Sequence, residues 1–174
     1  MNIIKKISKI LALIFFLFSC NSYAASLWFT EQLISLRFGV NNISHQQLKT
    51  LLPEIGNHKV LLFDVRRPDE YLVSRIQGSI LISPDMSSQD FITQYGNKIH
   101  NKTLIFYCSV GYRSSEFMQR IEKQAAEKEV KSMANLKGGI FRWYNEHHPV
   151  INDAGETNEI HPSDESWADL INKR

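Results

Sequence analysis

The chain has 174 residues, of which 43% are hydrophobic and 11% aromatic, a composition that can fill the core of one domain and excludes global disorder. Its formal net charge at pH 7 is +2. Lys5, Lys6 and Lys9 lie in the first 24 residues, which carry no acidic residue, so the rest of the chain has a net charge of −1. That balance leaves no basic face that would indicate a nucleic-acid partner.

The first 24 residues are predicted to be a signal peptide. The lysines precede an apolar run over residues 10–18, which is too short to span a bilayer but has the length of the hydrophobic region of a secretory signal. The small residues Ser22 and Ala24 predict cleavage after Ala24 and an exported, periplasmic protein. Residues 17–20 resemble a lipobox, so the alternative is a lipoprotein anchored in the membrane through Cys20; an uncleaved N-terminal anchor is a third possibility.

The rest of the chain alternates between predicted helices and strands. An N-terminal extension, residues 25–39, carries an amphipathic helix whose apolar residues are Leu27, Phe29, Leu33, Ile34 and Leu36. A capping box formed by Ser44 and Gln47 starts the next helix, and Pro53 is expected to end it. The predicted elements are then, in chain order, a strand at 40–43, this helix, a strand at 60–65, a helix at 68–73, a strand at 79–82, a helix at 87–95, a strand at 103–107, a helix at 114–128, a strand at 130–136, a turn at Gly138 and Gly139, and a helix at 140–146.

Strands that alternate with helices predict an α/β domain over about residues 40–150, with a mostly parallel sheet and helices on both faces. Residues 151–174 form a polar tail, predicted as a loop followed by a short helix at 164–172. The apolar residues Trp167, Leu170 and Ile171 would allow that helix to dock back on the domain.

Cys108 lies where a buried strand meets the start of a helix, in the segment CSVGYRSS at 108–115. A lone cysteine is often only a small buried hydrophobe. Here the loop that follows contains Gly111, which permits a backbone curl, and free N–H groups at a helix start can converge on an anion. These features favour a thiolate at Cys108, at the edge of the sheet where α/β proteins bind ligands.

Three segments, in order, resemble the rhodanese family. They are LLFDVRRPDEYLVSRIQGSILI at 61–82, IFYCSVGYRSSEFMQRI at 105–121, which resembles the active-site loop and its helix, and NLKGGIFRWYNEHHPV at 135–150. The resemblance covers about residues 40–150 and implies a rhodanese-like α/β fold with a central, mostly parallel five-stranded sheet. The N-terminal helix and the tail fall outside it.

The resemblance implies a sulfurtransferase without a cofactor. Cys108 would take a sulfur atom as a persulfide from a small donor, thiosulfate or an organic persulfide, and pass it to a thiophilic acceptor such as cyanide or a thiol. The substrate-binding loop would comprise Ser109, Val110, Gly111, Tyr112, Arg113 and Ser114, with its amides holding the oxyanion and then the persulfide. Many relatives that use thiosulfate have a basic residue directly after the cysteine, where this chain has Ser109.

The spacing from Cys108 to Arg113 bears on the main enzymatic alternative. Phosphatases and arsenate reductases of the same fold have five residues between their cysteine and arginine, and this chain has four. The smaller loop favours sulfur transfer. Arg113 either reaches an anionic substrate or holds the loop by pairing with Glu70 or Asp64. Ser114 and Ser115 either cap the helix or bond the thiolate.

The remaining polar residues are predicted to be structural. Asp64, Arg66 and Glu70 are predicted to support the site. Asp64 and Arg66 would pin the loop at the strand end, and direct contact with the substrate is the alternative for these two. His147, His148 and His161 lack the spacing of a metal site, are predicted to lie at the surface, and give no metal. Trp143 is predicted in the core and Tyr112 at an exposed tip of the loop. A non-catalytic rhodanese module used only for binding is the second function from another class.

Overall fold

The computed structural model describes residues 22–174. Cys20 and nearly all of the predicted signal peptide lie outside the described residues. Within residues 22–174, no helix is long and apolar enough to cross a membrane.

Five strands form one parallel sheet, as predicted. They are β1 (Asn42–Ile43), β2 (Val60–Asp64), β3 (Ser79–Leu81), β4 (Thr103–Tyr107) and β5 (Ser132–Leu136), in the spatial order β1-β5-β4-β2-β3. All four pairings are parallel. The central strand β4 is flanked by β5 and β2, which explains its apolar sequence, since a strand inside such a sheet is buried on both faces.

Helices cover both faces of the sheet. They are α1 (Ser22–Phe38), α2 (His45–Gly56), α3 (Pro68–Val73), α4 (Ser88–Ile99), α5 (Tyr112–Glu127), α6 (Gly139–Asn145) and, near the C-terminus, a 3₁₀ helix at Glu165–Leu170. Side chains of a strand alternate between faces. Ile105 and Tyr107 of β4 therefore belong to one core cluster, and Leu104 and Phe106 to the other. In the second cluster the Phe106 and Phe63 rings stack at 5.1 Å between centroids.

The first helix packs on the domain by a narrower face than predicted. Leu27 and Ile34 are buried, but Phe29, Leu33 and Leu36 are 58%, 52% and 83% exposed. The buried carboxylate of Glu31 instead anchors α1, since it accepts a hydrogen bond from Arg142 Nε of α6 at 2.8 Å. Apolar spacing alone does not distinguish which side of a short helix meets the domain.

Helices α2, α4 and α5 differ from the prediction in their boundaries, and α4 continues to Ile99, four residues beyond its predicted end. The capping box of Ser44 and Gln47 begins α2, as predicted, but Pro53 lies inside that helix and does not end it. A proline removes one backbone hydrogen bond, and the buried side chain of Ile55 keeps the last turn in place. α5 begins at Tyr112, two residues before the predicted start, because Gly111 adopts a left-handed conformation as its N-cap.

The tail contains a β-hairpin that was predicted as loop. β6 (Val150–Asn152) pairs antiparallel with β7 (Gly155–Thr157). Asn152 Oδ1 accepts the N–H of Ala154 at 2.9 Å, and Gly155 has a φ of 120°, so a side-chain bond and a glycine make the turn. The tail then returns to the domain, where Leu170 of the 3₁₀ helix is buried as predicted.

Candidate active site

Cys108 follows β4 directly at the carboxyl edge of the sheet, and the loop 109–111 leads into α5. Its side chain is 1% exposed, and its sulfur accepts the N–H of Gly111 at 3.2 Å. The φ of 100° at Gly111 is in the left-handed region that favours glycine. The first N–H groups of α5 have no partner within the helix, so the sulfur lies beside donors that stabilise negative charge.

The loop is also held from behind by α6. Ile140 N donates to the carbonyl of Cys108 at 2.9 Å, and Phe141 N donates to the carbonyl of Ser109 at 3.0 Å. This contact requires Gly139, because a Cβ there would lie 2.6 Å from the Ser109 carbonyl oxygen and still closer to that of Cys108. The sequence indicated only a turn at Gly139, whereas the structure makes it a support of the cysteine loop.

Glu70 of α3 is the partner of Arg113. The buried Glu70 carboxylate accepts Arg113 Nη1 at 2.7 Å and Nη2 at 2.8 Å, and it also accepts the Ser109 hydroxyl at 2.9 Å. Burial opposes ionisation, but the hydrogen bonds and charge of Arg113, with the N–H of Arg67, lower the pKa of Glu70 to about 2. Of the two carboxylates predicted as possible partners of Arg113, Glu70 is the one that it contacts, and Asp64 pairs with Arg66 instead.

The Arg113 guanidinium also lies beside the cysteine. Partial burial opposes its charged form, but the hydrogen bond to Glu70 and the neighbouring sulfur of Cys108 raise the pKa of Arg113. The guanidinium therefore stays charged while it braces the loop. A substrate anion at Cys108 would meet a cation whose charge is largely balanced by Glu70.

Asp64 and Arg66 form a separate, fully buried ion pair. Arg66 Nη2 contacts Asp64 Oδ2 at 2.7 Å and donates to the Ser74 carbonyl at 2.6 Å. Burial acts against the charge, but the Asp64 carboxylate outweighs it and raises the pKa of Arg66. The pair ties the end of β2 to the segment before β3, and neither residue lines the cavity beside Cys108.

The serines after Arg113 do not cap α5 with their side chains. The Ser114 hydroxyl donates to Asn135 Oδ1 of β5 at 2.7 Å, and the Ser115 hydroxyl donates to the Gly111 carbonyl at 2.7 Å. Gly111 takes the N-cap position, so both serines lie within the helix and bond sideways. Asn135 is a support that the sequence did not indicate, since its position opposite Ser114 depends on the order of the strands.

Two further loop residues, Val110 and Tyr112, pack against the domain. Val110 is 1% exposed and belongs to the core. Tyr112 is half-buried, not an exposed tip, because its ring packs edge-on against Phe38 of α1 at 4.9 Å. The loop is consequently fixed on its α1 side as well.

A cavity of about 350 Å³ opens beside the cysteine. Its lining comprises Arg67, Cys108, Tyr112, Arg113, Ser163, Asp164, Ser166 and Trp167. Half of these residues come from the C-terminal tail, and neither they nor Arg67 were predicted at the site. A segment 50 residues or more from Cys108 along the chain has no local pattern that marks this contact.

One of the histidines predicted at the surface, His148, is half-buried. His147 is exposed, but His148 is half-buried, its ring packs on the buried Trp143 at 4.2 Å, and its Nε2 lies 2.8 Å from His45 Nδ1. Burial lowers the pKa of both His45 and His148, which favours neutral rings. Among the residues described, no group of three or more His, Cys, Asp or Glu side chains could hold a metal ion.

Fold and site together define an α/β protein with a buried cysteine in a short loop between a strand and a helix, at the carboxyl edge of a parallel sheet. A model of the rhodanese-like domain family matches residues 44–146, more than half of the chain. The chain belongs to the rhodanese-like domain family, as the sequence segments predicted.

Comparison with known proteins gives more distant relatives. A tRNA uridine(34) hydroxylase of Shouchella clausii (strain KSM-K16) is 28% identical over 123 residues, which are 64% of this chain and 36% of that protein. This chain therefore spans little more than a third of the length of that curated relative.

Two solved structures share the fold. A thiosulfate sulfurtransferase from Pseudomonas aeruginosa has a TM-score of 0.57 and 18% identity, with 76% of this chain and 23% of that chain covered. The BH2092 protein from Bacillus halodurans has a TM-score of 0.55 and 18% identity, with 79% and 88% covered. At this identity the likeness concerns the fold alone.

Proposed function

We propose that the chain is a sulfurtransferase that carries sulfur as a persulfide on Cys108. The hydrogen bond from Gly111 N to the cysteine sulfur, at the start of α5, carries this proposal. A donor aimed at that sulfur stabilises the thiolate that attacks and the persulfide anion that forms.

The reaction has two steps. The Cys108 thiolate attacks the outer sulfur of thiosulfate, the S–S bond of thiosulfate breaks, and sulfite leaves with the bonding electron pair. A thiophile such as cyanide then attacks the outer sulfur of the persulfide, which forms thiocyanate and returns the thiolate. Arg67 and Arg113 line the cavity and would face the anionic donor. An organic persulfide can serve as donor in the same way, with a thiolate as leaving group.

Phosphatase chemistry has less support. Asp164 is the carboxylate in the cavity lining, where a leaving group would need a proton donor. Hydrogen bonds from Ser166 lower the pKa of Asp164, so this group is ionised at neutral pH and holds no proton to donate. Four residues between Cys108 and Arg113 also form a smaller loop than the phosphatases have.

The tRNA substrate of the hydroxylase relative is not part of the proposal. Residues 25–174 have a net charge of −1, and strong binding to the phosphates of a nucleic acid depends on basic residues. We also propose that the protein is exported to the periplasm, because of the composition of residues 1–24. The mass of the mature N-terminus tests export: a start at Ala25 supports cleavage, and a lipid-modified Cys20 supports the lipoprotein alternative.

Intact-mass measurement after incubation with thiosulfate tests the activity. We expect the wild-type protein to gain the mass of one sulfur atom and to release sulfite, and Cys108→Ser to do neither. Cyanide should then remove the added sulfur as thiocyanate. A wild-type protein that forms no adduct with thiosulfate or with an organic persulfide would refute the proposal and favour a module used only for binding.

A further inference from the structure

The segment 161–167, here called the strap, forms part of the wall of the cavity beside Cys108. Ser163, Asp164, Ser166 and Trp167 of the strap form half of the cavity lining. All four lie beyond residue 146, where the match to the rhodanese-like family ends. The strap thus lies outside the part of this chain that the family model matches.

The strap is bound to both arginines of the cavity. Arg67 Nη2 donates to the Ser163 carbonyl at 3.1 Å, and Arg113 Nη2 lies 3.3 Å from the Ser163 hydroxyl. His161 Nε2 lies 3.7 Å from Asp69 of α3. The same guanidinium that braces the cysteine loop through Glu70 therefore also contacts the strap.

The residues directly after the strap, 170–172, are fixed to the domain. Leu170, 7% exposed, lies in the core cluster, and Trp167 and Ile171 pack against that cluster. Asn145 of α6 donates to the Leu170 carbonyl at 2.8 Å and accepts the N–H of Asn172 at 2.8 Å. Apolar burial makes these residues the anchor, whereas polar contacts at a partly exposed site hold the strap at the cavity more weakly.

We propose that the strap selects the sulfur acceptor by size and admits small-molecule thiophiles in preference to thiols on folded proteins. This inference rests on the proposed sulfurtransferase function. The cavity volume of about 350 Å³ is near the lower end for small-molecule sites. Cys108 is 1% exposed and shares its cavity with the strap, so we expect a cysteine on the surface of a folded protein, whose side chain is short, to reach the sulfur less readily than a small thiol does.

A pair of thiol reagents tests access directly. N-ethylmaleimide is compared with the same maleimide attached to the surface of a small folded protein, and loss of the unmodified tryptic peptide 103–113 reports the reaction at Cys108. The ratio of the alkylation rates of the free and the protein-linked reagent at Cys108 is divided by the ratio of their rates with free glutathione, which corrects for their intrinsic reactivity. We expect wild-type Cys108 to discriminate against the protein-linked reagent at least about tenfold, equivalent to about 1.4 kcal/mol.

Two variants open the strap in different ways. Trp167→Ala removes a wall of the cavity, and Leu170→Ala weakens the anchor. Each should reduce the discrimination, whereas Trp28→Ala, which changes a tryptophan 57% exposed on α1, should leave it unchanged. Thermal unfolding of each variant shows that the comparison is made on folded protein.

Alkylation needs only the thiol of Cys108, so it tests the role of the strap independently of whether the protein forms a persulfide. A normalised ratio near one in the wild type, or discrimination unchanged in both strap variants, overturns the inference. Size discrimination in a protein that forms no persulfide supports the strap as a barrier and overturns the sulfurtransferase. When the persulfide forms, the ratio of its discharge rates to free cysteine and to reduced thioredoxin should fall in the two strap variants.

Discussion

Replacing Gly139 by alanine tests whether α6 holds the cysteine loop in place. The φ of 55° at Gly139 imposes backbone strain of about 1 to 2 kcal/mol on any residue with a Cβ. The new Cβ would also lie 2.6 Å from the Ser109 carbonyl oxygen, and closer to that of Cys108. Backbone oxygens cannot turn aside as a side chain can, so the loop and α6 must separate.

Separation removes the hydrogen bonds from Ile140 and Phe141 to the loop carbonyls. Each contributes about 1 kcal/mol, so we expect Gly139→Ala to lower the free energy of unfolding by about 3 to 4 kcal/mol in total. Gly39→Ala is the matched control, because Gly39 has a φ of 60° but no atom within 4 Å of an added Cβ. Gly39→Ala should lower the free energy of unfolding only by the backbone strain, about 1 to 2 kcal/mol.

Urea unfolding of both variants measures the difference, and the rate of alkylation at Cys108 by N-ethylmaleimide reports on the loop. Gly139→Ala should change that rate, and Gly39→Ala should not. Equal losses of stability in the two variants, with an unchanged alkylation rate in Gly139→Ala, would refute the role given to α6.

Three further predictions concern the charged groups. Arg113→Lys replaces the two nitrogens that each bond one oxygen of Glu70 by a single ammonium group, so we expect the free energy of unfolding in urea to fall by about 1 to 3 kcal/mol and persulfide formation with thiosulfate to slow; an unchanged rate would assign Arg113 to stability alone. The pKa of Glu70 is about 2 against an ordinary 4.5, so its contribution to stability is complete above pH 4.5 and is lost as the pH falls toward 2. Between about pH 6 and pH 3 the wild type should therefore lose about 2 kcal/mol that Glu70→Gln does not lose, and parallel pH profiles would contradict this. Asp64→Asn leaves the buried Arg66 charge without its carboxylate and should cost about 3 to 5 kcal/mol. Asp153→Asn changes a carboxylate that is 77% exposed beside Arg75 and should cost less than about 1 kcal/mol. Similar urea midpoints for both variants would show that burial of the carboxylate is unimportant.

Local patterns predicted much of the fold. The apolar run before Cys108 is typical of a strand buried on both faces, and β4 occupies residues 103–107 as predicted. The capping box at Ser44 begins α2, and the residues after Pro68 form α3. In each case neighbouring residues supply the hydrogen bonds or the periodicity, so their order along the chain is sufficient.

Side-chain contacts between residues far apart along the chain could not be predicted from local patterns. Glu70 and Asp64 were equal candidates for Arg113, and the packing of α3 against the cysteine loop selected Glu70. The contact of Ser114 with Asn135 likewise requires β5 to lie beside β4. Such pairs depend on the order of strands and the placement of helices, which no short segment contains.

By itself the sequence determined the family, the α/β class and the position of Cys108 between a strand and a helix. The tertiary structure decided how that cysteine is enclosed: Gly139 lets α6 approach the loop, Glu70 pairs with Arg113, and the strap lines the cavity. The physical reason is distance along the chain. Strands, caps and turns arise from bonds between near neighbours, whereas enclosure of Cys108 requires segments 30 to 60 residues away to pack against it.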